Sequence, residues 1–298
     1  MHLFKHMKAL ICALSLGTIS AIATTTPVVA EGVIEDIQRR GSLRVGMATF
    51  VPWAMRDKEG KLIGFEIDVA TKVAADMGVD VEFVPTAWSG IIPALIAKKF
   101  DVIIGGMSIT PQRNLTVNFT QPYAHSGQQM AANIELTDGF SSLSDYNSSS
   151  VTISCRRGAT PCNTASKMFP KATILRFDDD AQAFQEVVNG NAHATISSAP
   201  KPTFWSEGYP EKVHVANNGE NLTRGDEAFA MRKGDADGLN FFSNWILINT
   251  SNGWLKETHD YWFKDQSAWK DMVAVERNIH KNVAQAKACA PSQRMKNA

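Results

Sequence analysis

A strand pattern that ends in two glycines, a short hydroxyl-bearing loop and one arginine hold the densest chemistry in this chain. From Phe83 to Tyr123 the sequence reads FVPTAWSGIIPALIAKKFDVIIGGMSITPQRNLTVNFTQPY. The apolar pattern Asp101-Val-Ile-Ile-Gly-Gly106 runs into Met107-Ser-Ile-Thr-Pro111, and Arg113 lies three residues beyond Thr110. Paired glycines let a backbone come close to a ligand. Ser108 and Thr110 offer hydroxyls, and Arg113 offers a planar fork of donors matched to a carboxylate. Trp88, at the end of the preceding strand, can lay its ring over an apolar or planar group. Taken singly, these residues read as turn glycines, a solvated arginine and a core tryptophan. Their order is what points to a site for a small carboxylic acid.

The elements that must position them alternate. Leu43–Met47 reads as a strand and Lys58–Lys61 as a turn. Phe65–Met77 has helical spacing, with Ile67, Ala70, Val73, Ala74 and Met77 on one side and Gly78 as its stop. Val79–Val84 is the next strand, Ile91–Lys99 a helix with Pro93 in its first turn, and Asp101–Gly105 a third strand. This βαβαβ order predicts a doubly wound α/β unit with a parallel sheet. A second unit follows: strands over Val151–Ser154, Thr173–Phe177 and Ala192–Ile196, with helices over Thr164–Met168 and Ala181–Val188. Asp178-Asp-Asp180 can cap the latter helix, and Gly190 ends it. Ligands bind at the carboxyl ends of strands in such sheets. The Ser-rich stretch 136–150 reads as a surface loop. Beyond it, Phe229–Gly234 is strand-like, and Leu239–Ile248 and Trp254–Trp262 are helical. The chain after Ser267 reads as a polar, solvated helical tail.

The ends and the composition bound the setting. Lys5 and Lys8 precede a short apolar stretch, Ala9–Ala23, and Val28-Val29-Ala30 is a small-residue cleavage site, with Ala21-Ile22-Ala23 a weaker alternative. We therefore expect residues 1–30 to be an export signal and the mature protein to reside in the periplasm. Of 298 residues, those after 30 carry 28 basic and 30 acidic side chains. That near balance gives no reason to expect nucleic acid as a partner. Export implies an oxidising compartment, so a cysteine pair should close. Cys155 and Cys162 are near neighbours, and no histidine flanks them as a zinc site would require. Cys289 is left unpaired. No metal cluster, phosphate loop or Ser-His-Asp arrangement stands out.

Several segments together resemble the polar amino-acid branch of the periplasmic solute-binding proteins, family 3. They are Gly41-Ser-Leu-Arg-Val-Gly46, Gly60-Lys-Leu-Ile-Gly-Phe-Glu-Ile-Asp68, Trp88-Ser-Gly-Ile-Ile-Pro-Ala-Leu95, Asp101 through Arg113, and Asn118-Phe-Thr-Gln-Pro-Tyr123. Gly253-Trp254 and Tyr261-Trp-Phe263 look like the family's closing motif. The resemblance covers about 41–265 and implies a type II periplasmic binding fold, two doubly wound lobes joined by two hinge strands. Lobe 1 would be 31–123 with 228–265, lobe 2 would be 128–222, and 266–298 a C-terminal tail. Hinge bending would close the lobes over the ligand. Carried over by position, Phe50 and Trp88 would be the aromatics that cover the ligand. Gly106 and Ser108 would be the loop that offers a carbonyl and a hydroxyl, and Arg113 the clamp on an α-carboxylate. Arg156 and Thr160 fall at a strand end and helix start in lobe 2, where helix-end donors can reach the same carboxylate.

Two departures bear on the ligand. Ser198 occupies the lobe-2 position where the family usually has an acid for the ligand's ammonium. The segment before Phe50 also lacks an acid that several relatives carry. Asp178, Asp179 and Asp226 are candidate replacements, with capping and surface roles preferred for them. Arg156 and Arg157 add positive potential, which leans the reading toward an acidic amino acid or an opine-type derivative. The resemblance thus implies a monomeric, non-enzymatic binding protein that needs no cofactor and delivers an amino acid-like solute to a membrane ABC importer. The alternatives are a secreted cyclohexadienyl or prephenate dehydratase-like enzyme on the same fold, or a soluble sensor input domain. For an enzyme, His125 and His193 are the nearby histidines, and both read as structural.

Overall fold

The computed structural model describes residues 32–273; the expected export signal, Cys289 and most of the expected tail lie outside the described residues. In chain order the first elements are α1 (Val33–Arg40), β1 (Ser42–Met47), β2 (Met55–Arg56), β3 (Leu62–Ile63), α2 (Phe65–Met77), β4 (Asp80–Pro85), α3 (Ile91–Ile96), β5 (Val102–Ile103), α4 (Pro111–Asn114) and β6 (Asn118–Phe119). Helix α2 buries Phe65, Ile67, Val69, Ala70, Val73 and Ala74. Asp101 is buried ahead of β5 and accepts from the Arg44 amide at 2.9 Å and from Arg44 Nη2 at 2.8 Å. Gly46 is required in β1, because a Cβ there would stand 2.3 Å from the Phe100 ring.

The chain then crosses on β7 (Ala124–Asn133) and builds β8 (Thr152–Arg156), α5 (Thr160–Met168), β9 (Thr173–Phe177), α6 (Asp180–Val188), β10 (Ala194–Ser198), α7 (Lys201–Gly208) and β11 (Val213–Val215). It returns on β12 (Thr223–Glu227), adds β13 (Ala230–Met231) and finishes with α8 (Ala236–Ser251) and α9 (Trp254–Phe263).

Two mixed sheets result, one per lobe. The first has the order β4-β1-β5-β13-β6, and the second β11-β7-β10-β8-β9 with β12 added to β7. The expected parallel cores are present: β1 runs parallel to β4 and β5, and β8 parallel to β9 and β10. The crossings make each sheet mixed. Strand β7 enters its sheet against β10, and β13 re-enters the first sheet against β5 and β6. The two crossing strands pair with each other, from Ala124 opposite Glu227 to Gln128 opposite Thr223.

Three sequence expectations need correction. Helix α5 begins at Thr160 rather than Thr164, with Pro161 in its first turn, where a missing amide costs nothing. The 136–150 stretch is not merely a surface loop. Its Tyr146 is buried and meets Phe140 edge-on at 5.0 Å, so the segment covers one side of the second sheet. Nor is the chain after Ser267 wholly solvated. Trp269 is buried, its Nε1 donates to the Trp262 carbonyl at 3.0 Å, and its ring meets Phe204 of α7 edge-on. A large indole with one satisfied polar atom is held by burial more strongly than a run of lysines is drawn to water.

Cys155 is the penultimate residue of β8 and Cys162 lies in the first turn of α5; their sulfurs are bonded, with the Cα atoms 5.3 Å apart. The bridge brackets Arg156 and Thr160. Closing so short a loop stabilises by roughly 2.5 kcal/mol in the chain-entropy view. A Cys155→Ser/Cys162→Ser double variant is expected to unfold at lower urea, by about that free energy. An unchanged midpoint would show that the bridge contributes nothing to stability.

Candidate functional site

The short helix α4 explains the spacing between Thr110 and Arg113. Thr110 is its N-cap and its Oγ1 accepts from the Arg113 amide at 3.2 Å, with Pro111 in the first turn. The hydroxyl that looked available to a ligand is therefore engaged as a cap. The same turn aims the Arg113 guanidinium out of the first lobe. Its Nη1 donates to the Ser108 carbonyl at 2.7 Å, and its Nη2 reaches across to the Gly158 carbonyl of the second lobe at 3.1 Å. Two carbonyls leave the cation without a full counter-charge: among the described residues no carboxylate lies within 4.0 Å of Arg113. Burial, and then the positive charge of Arg156, draw its pKa down to about 10.

Phe50, Trp88, Gly106, Ser108 and Arg113 from the first lobe and Arg156, Thr160 and Ser198 from the second line a single crevice. The eight residues carried over by family position therefore come to one place, whereas Thr110 does not line it. The space between them is about 300 Å³ with the open solvent at its mouth included. Gly106 adopts a φ of +65°, and a Cβ there would come 3.1–3.3 Å from the Trp53 and Phe50 rings. Its amide donates to Tyr123 Oη at 3.1 Å, so only its carbonyl side is free to face a solute.

From the second lobe, Arg156 enters between the two aromatic rings. Its guanidinium carbon is 4.8 Å from the centroid of Phe50 and 4.8 Å from that of Trp88. Arg156 is only 5% exposed, and its Nε finds no hydrogen-bond partner. Thr160 opens α5 and lines the crevice with Ala159 and Pro161, so the N-terminal end of that helix borders it.

Asp180 is the functional candidate that sequence reading missed. It lies in the first turn of α6, lines the crevice, is 5% exposed, and its Oδ2 is 3.6 Å from Arg156 Nε. Ser197 Oγ donates to its other oxygen at 3.3 Å. The three acids proposed as replacements do other work. Asp179 caps α6 through the Gln182 amide, Asp178 pairs with Arg157 at 3.7 Å, and Asp226 meets His125 Nδ1 at 2.7 Å outside the crevice. The signal was the Asp178-Asp-Asp180 run, but helix-start geometry chooses among its members. His193 is also structural: its Nδ1 accepts from the Thr152 amide at 3.1 Å, and burial lowers its pKa.

Behind the crevice two more acids are buried at the base of the crossing strands. Glu66 accepts from Tyr123 Oη, and Glu227 accepts from Ser126 Oγ at 2.6 Å and Ser108 Oγ at 3.4 Å. The second carboxyl oxygen of each has no partner. Burial is the largest cause that pushes both pKa values up to about 8, with Glu227 adding to the effect on Glu66. Both are predominantly protonated at neutral pH.

Comparison with known proteins places this fold among known ones. The solved structure of the ancestral amino acid-binding protein AncCDT-1, a precursor of cyclohexadienyl dehydratase, is 37% identical. It covers 78% of this chain and 100% of its own, with a TM-score of 0.71. The L-cystine-binding protein TcyJ of Escherichia coli K12 is 26% identical over 234 residues, 78% of this chain and 86% of that protein. The cyclohexadienyl dehydratase of Pseudomonas aeruginosa PAO1 is 26% identical over 263 residues, 88% and 95% of the two chains. The family model of the bacterial extracellular solute-binding proteins, family 3, matches residues 43–265, and the chain belongs to that family.

Proposed function

We propose that this protein captures an amino acid or amino-acid derivative in the periplasm and delivers it to a membrane ABC importer, without chemical change to the solute. The observation that carries the reading is Arg113. It is a partly buried guanidinium at a crevice between two lobes, facing the start of α5 and lacking a carboxylate of its own. A solute carboxylate there receives charge-assisted bonds from Arg113 and helix-end donors near Thr160. Phe50 and Trp88 cover the solute, while the Gly106 carbonyl and the Ser108 and Ser198 hydroxyls supply polar contacts. The paired strands β7 and β12 serve as the hinge, so a solute that touches both lobes favours the closed arrangement.

A thermal-shift screen of amino acids and their N-substituted derivatives tests this. A solute at 100 times its dissociation constant stabilises the native state by about 2.7 kcal/mol. If no such compound raises the melting temperature, the reading fails. The dehydratase relative makes catalysis the rival reading. The two acids with strongly raised pKa values, Glu66 and Glu227, do not line the crevice, which favours binding over acid-assisted elimination. Turnover of prephenate by the purified protein would reverse that preference.

A further inference from the structure

The charges that line the crevice do not balance. Arg113 and Arg156 each contribute a positive charge, and among the described residues Asp180 is the sole carboxylate that lines it. The Arg156–Asp180 contact, at 3.6 Å, is too long for a hydrogen bond, and the buried Nε of Arg156 is left without an acceptor. The faces of Phe50 and Trp88 are already occupied by that guanidinium, at 4.8 Å from each. A cationic solute side chain would therefore meet a like charge in the aromatic slot. A neutral zwitterion would leave one positive charge uncompensated when the lobes enclose it, which is costly in a low-dielectric site.

We infer that the cognate solute is a net monoanion, an amino acid or N-substituted amino acid with two acidic groups, and that Arg156 is the specificity-determining residue that reads the second group. This rests on the reading of the crevice as an amino acid site, with the first carboxylate at Arg113. The rings hold the Arg156 guanidinium from both sides, and Asp180 beside its Nε biases the Nη edge toward the solute. Such a fork is matched to a carboxylate and poorly matched to an amide. Asp180 keeps a second task within the same charge balance, as the anion nearest to where the solute's ammonium can lie.

The test is titration calorimetry on the mature protein with matched pairs: L-glutamate against L-glutamine, L-aspartate against L-asparagine, and N-(1-carboxyethyl) amino acids against their parent amino acids. L-Arginine and L-lysine are the cationic probes. At least one member with two carboxylates is expected to bind at least about 30-fold more tightly than its partner, with arginine and lysine weaker still. Arg156→Gln is expected to reduce that preference to within about threefold. A preference that Arg156→Gln leaves unmoved, whatever happens to the two affinities, overturns the role assigned to Arg156. Tighter binding of the amide, or of arginine or lysine, overturns this inference and leaves the amino acid site standing. Failure of every probe to bind overturns both.

Discussion

Arg113→Ala is expected to weaken binding of whichever solute the thermal screen identifies by at least about 2 kcal/mol, roughly 30-fold. Two losses coincide. The solute carboxylate loses its charge-assisted partner and remains enclosed, and the lobes lose the bond from Arg113 Nη2 to the Gly158 carbonyl. Arg113→Lys should recover only part of the affinity, because an ammonium cannot serve the Ser108 carbonyl, the Gly158 carbonyl and a carboxylate as one planar fork does. Calorimetry decides the matter. Affinity within threefold of the wild type in the alanine variant would remove the clamp, and with it the orientation assigned to the solute.

Stability is expected to fall as pH rises from 6.5 to 8. Glu66 and Glu227 have native pKa values of about 8, against an ordinary value of 4.5. Each holds its proton in the native protein at pH values where the unfolded chain has released it. The stability this gives is complete below about 4.5 and is lost as pH climbs toward about 8. His193 and His259 have lowered native pKa values, so they act in the opposite direction below their ordinary value of 6.5. Above 6.5 the histidine contribution fades, so the two acids dominate the window. Over it each group contributes about 2 kcal/mol, and the pair roughly 2–4 kcal/mol because they interact. Urea unfolding at the two pH values measures the loss, and Glu66→Gln should flatten the slope by about half. A midpoint that is level or rises with pH would mean that these carboxyls are ionised in the native state. The coupling reaches the crevice because Glu227 ties the end of crossing strand β12 to Ser108, which lines it.

Much of the molecule was legible in one dimension because its causes are local. The period of Phe65–Met77 specifies a helix with one buried side, and the helix found there has those limits. Strand Thr173–Phe177 is likewise found over the residues its pattern marks. The capped turn of Thr110, Pro111 and Arg113 is just as local, yet its hydroxyl reads in sequence as a ligand contact, because cap and contact use the same residue type. Strand β7 was harder to read. Its sequence, Ala124-His-Ser-Gly-Gln-Gln-Met-Ala-Ala-Asn133, has few β-branched or large apolar residues. It is a strand because β10, β11 and β12 pair along it. The turn at the chain's C-terminal side misled for the opposite reason: one indole, Trp269, outweighed its charged neighbours once α9 and α7 supplied a place to bury it.

By itself the amino-acid sequence determined the α/β class, the helix and strand periods, the disulfide partners and the residue types able to grip a carboxylate. Each of these follows from neighbours a few residues apart. Tertiary structure alone decided which charges face one another: that Arg156 lies between Phe50 and Trp88, and that Asp180, not Asp178, Asp179 or Asp226, is the acid beside it. Charge balance in an enclosed site depends on distances across two lobes, and hydrophobic period and capping chemistry carry no record of those distances.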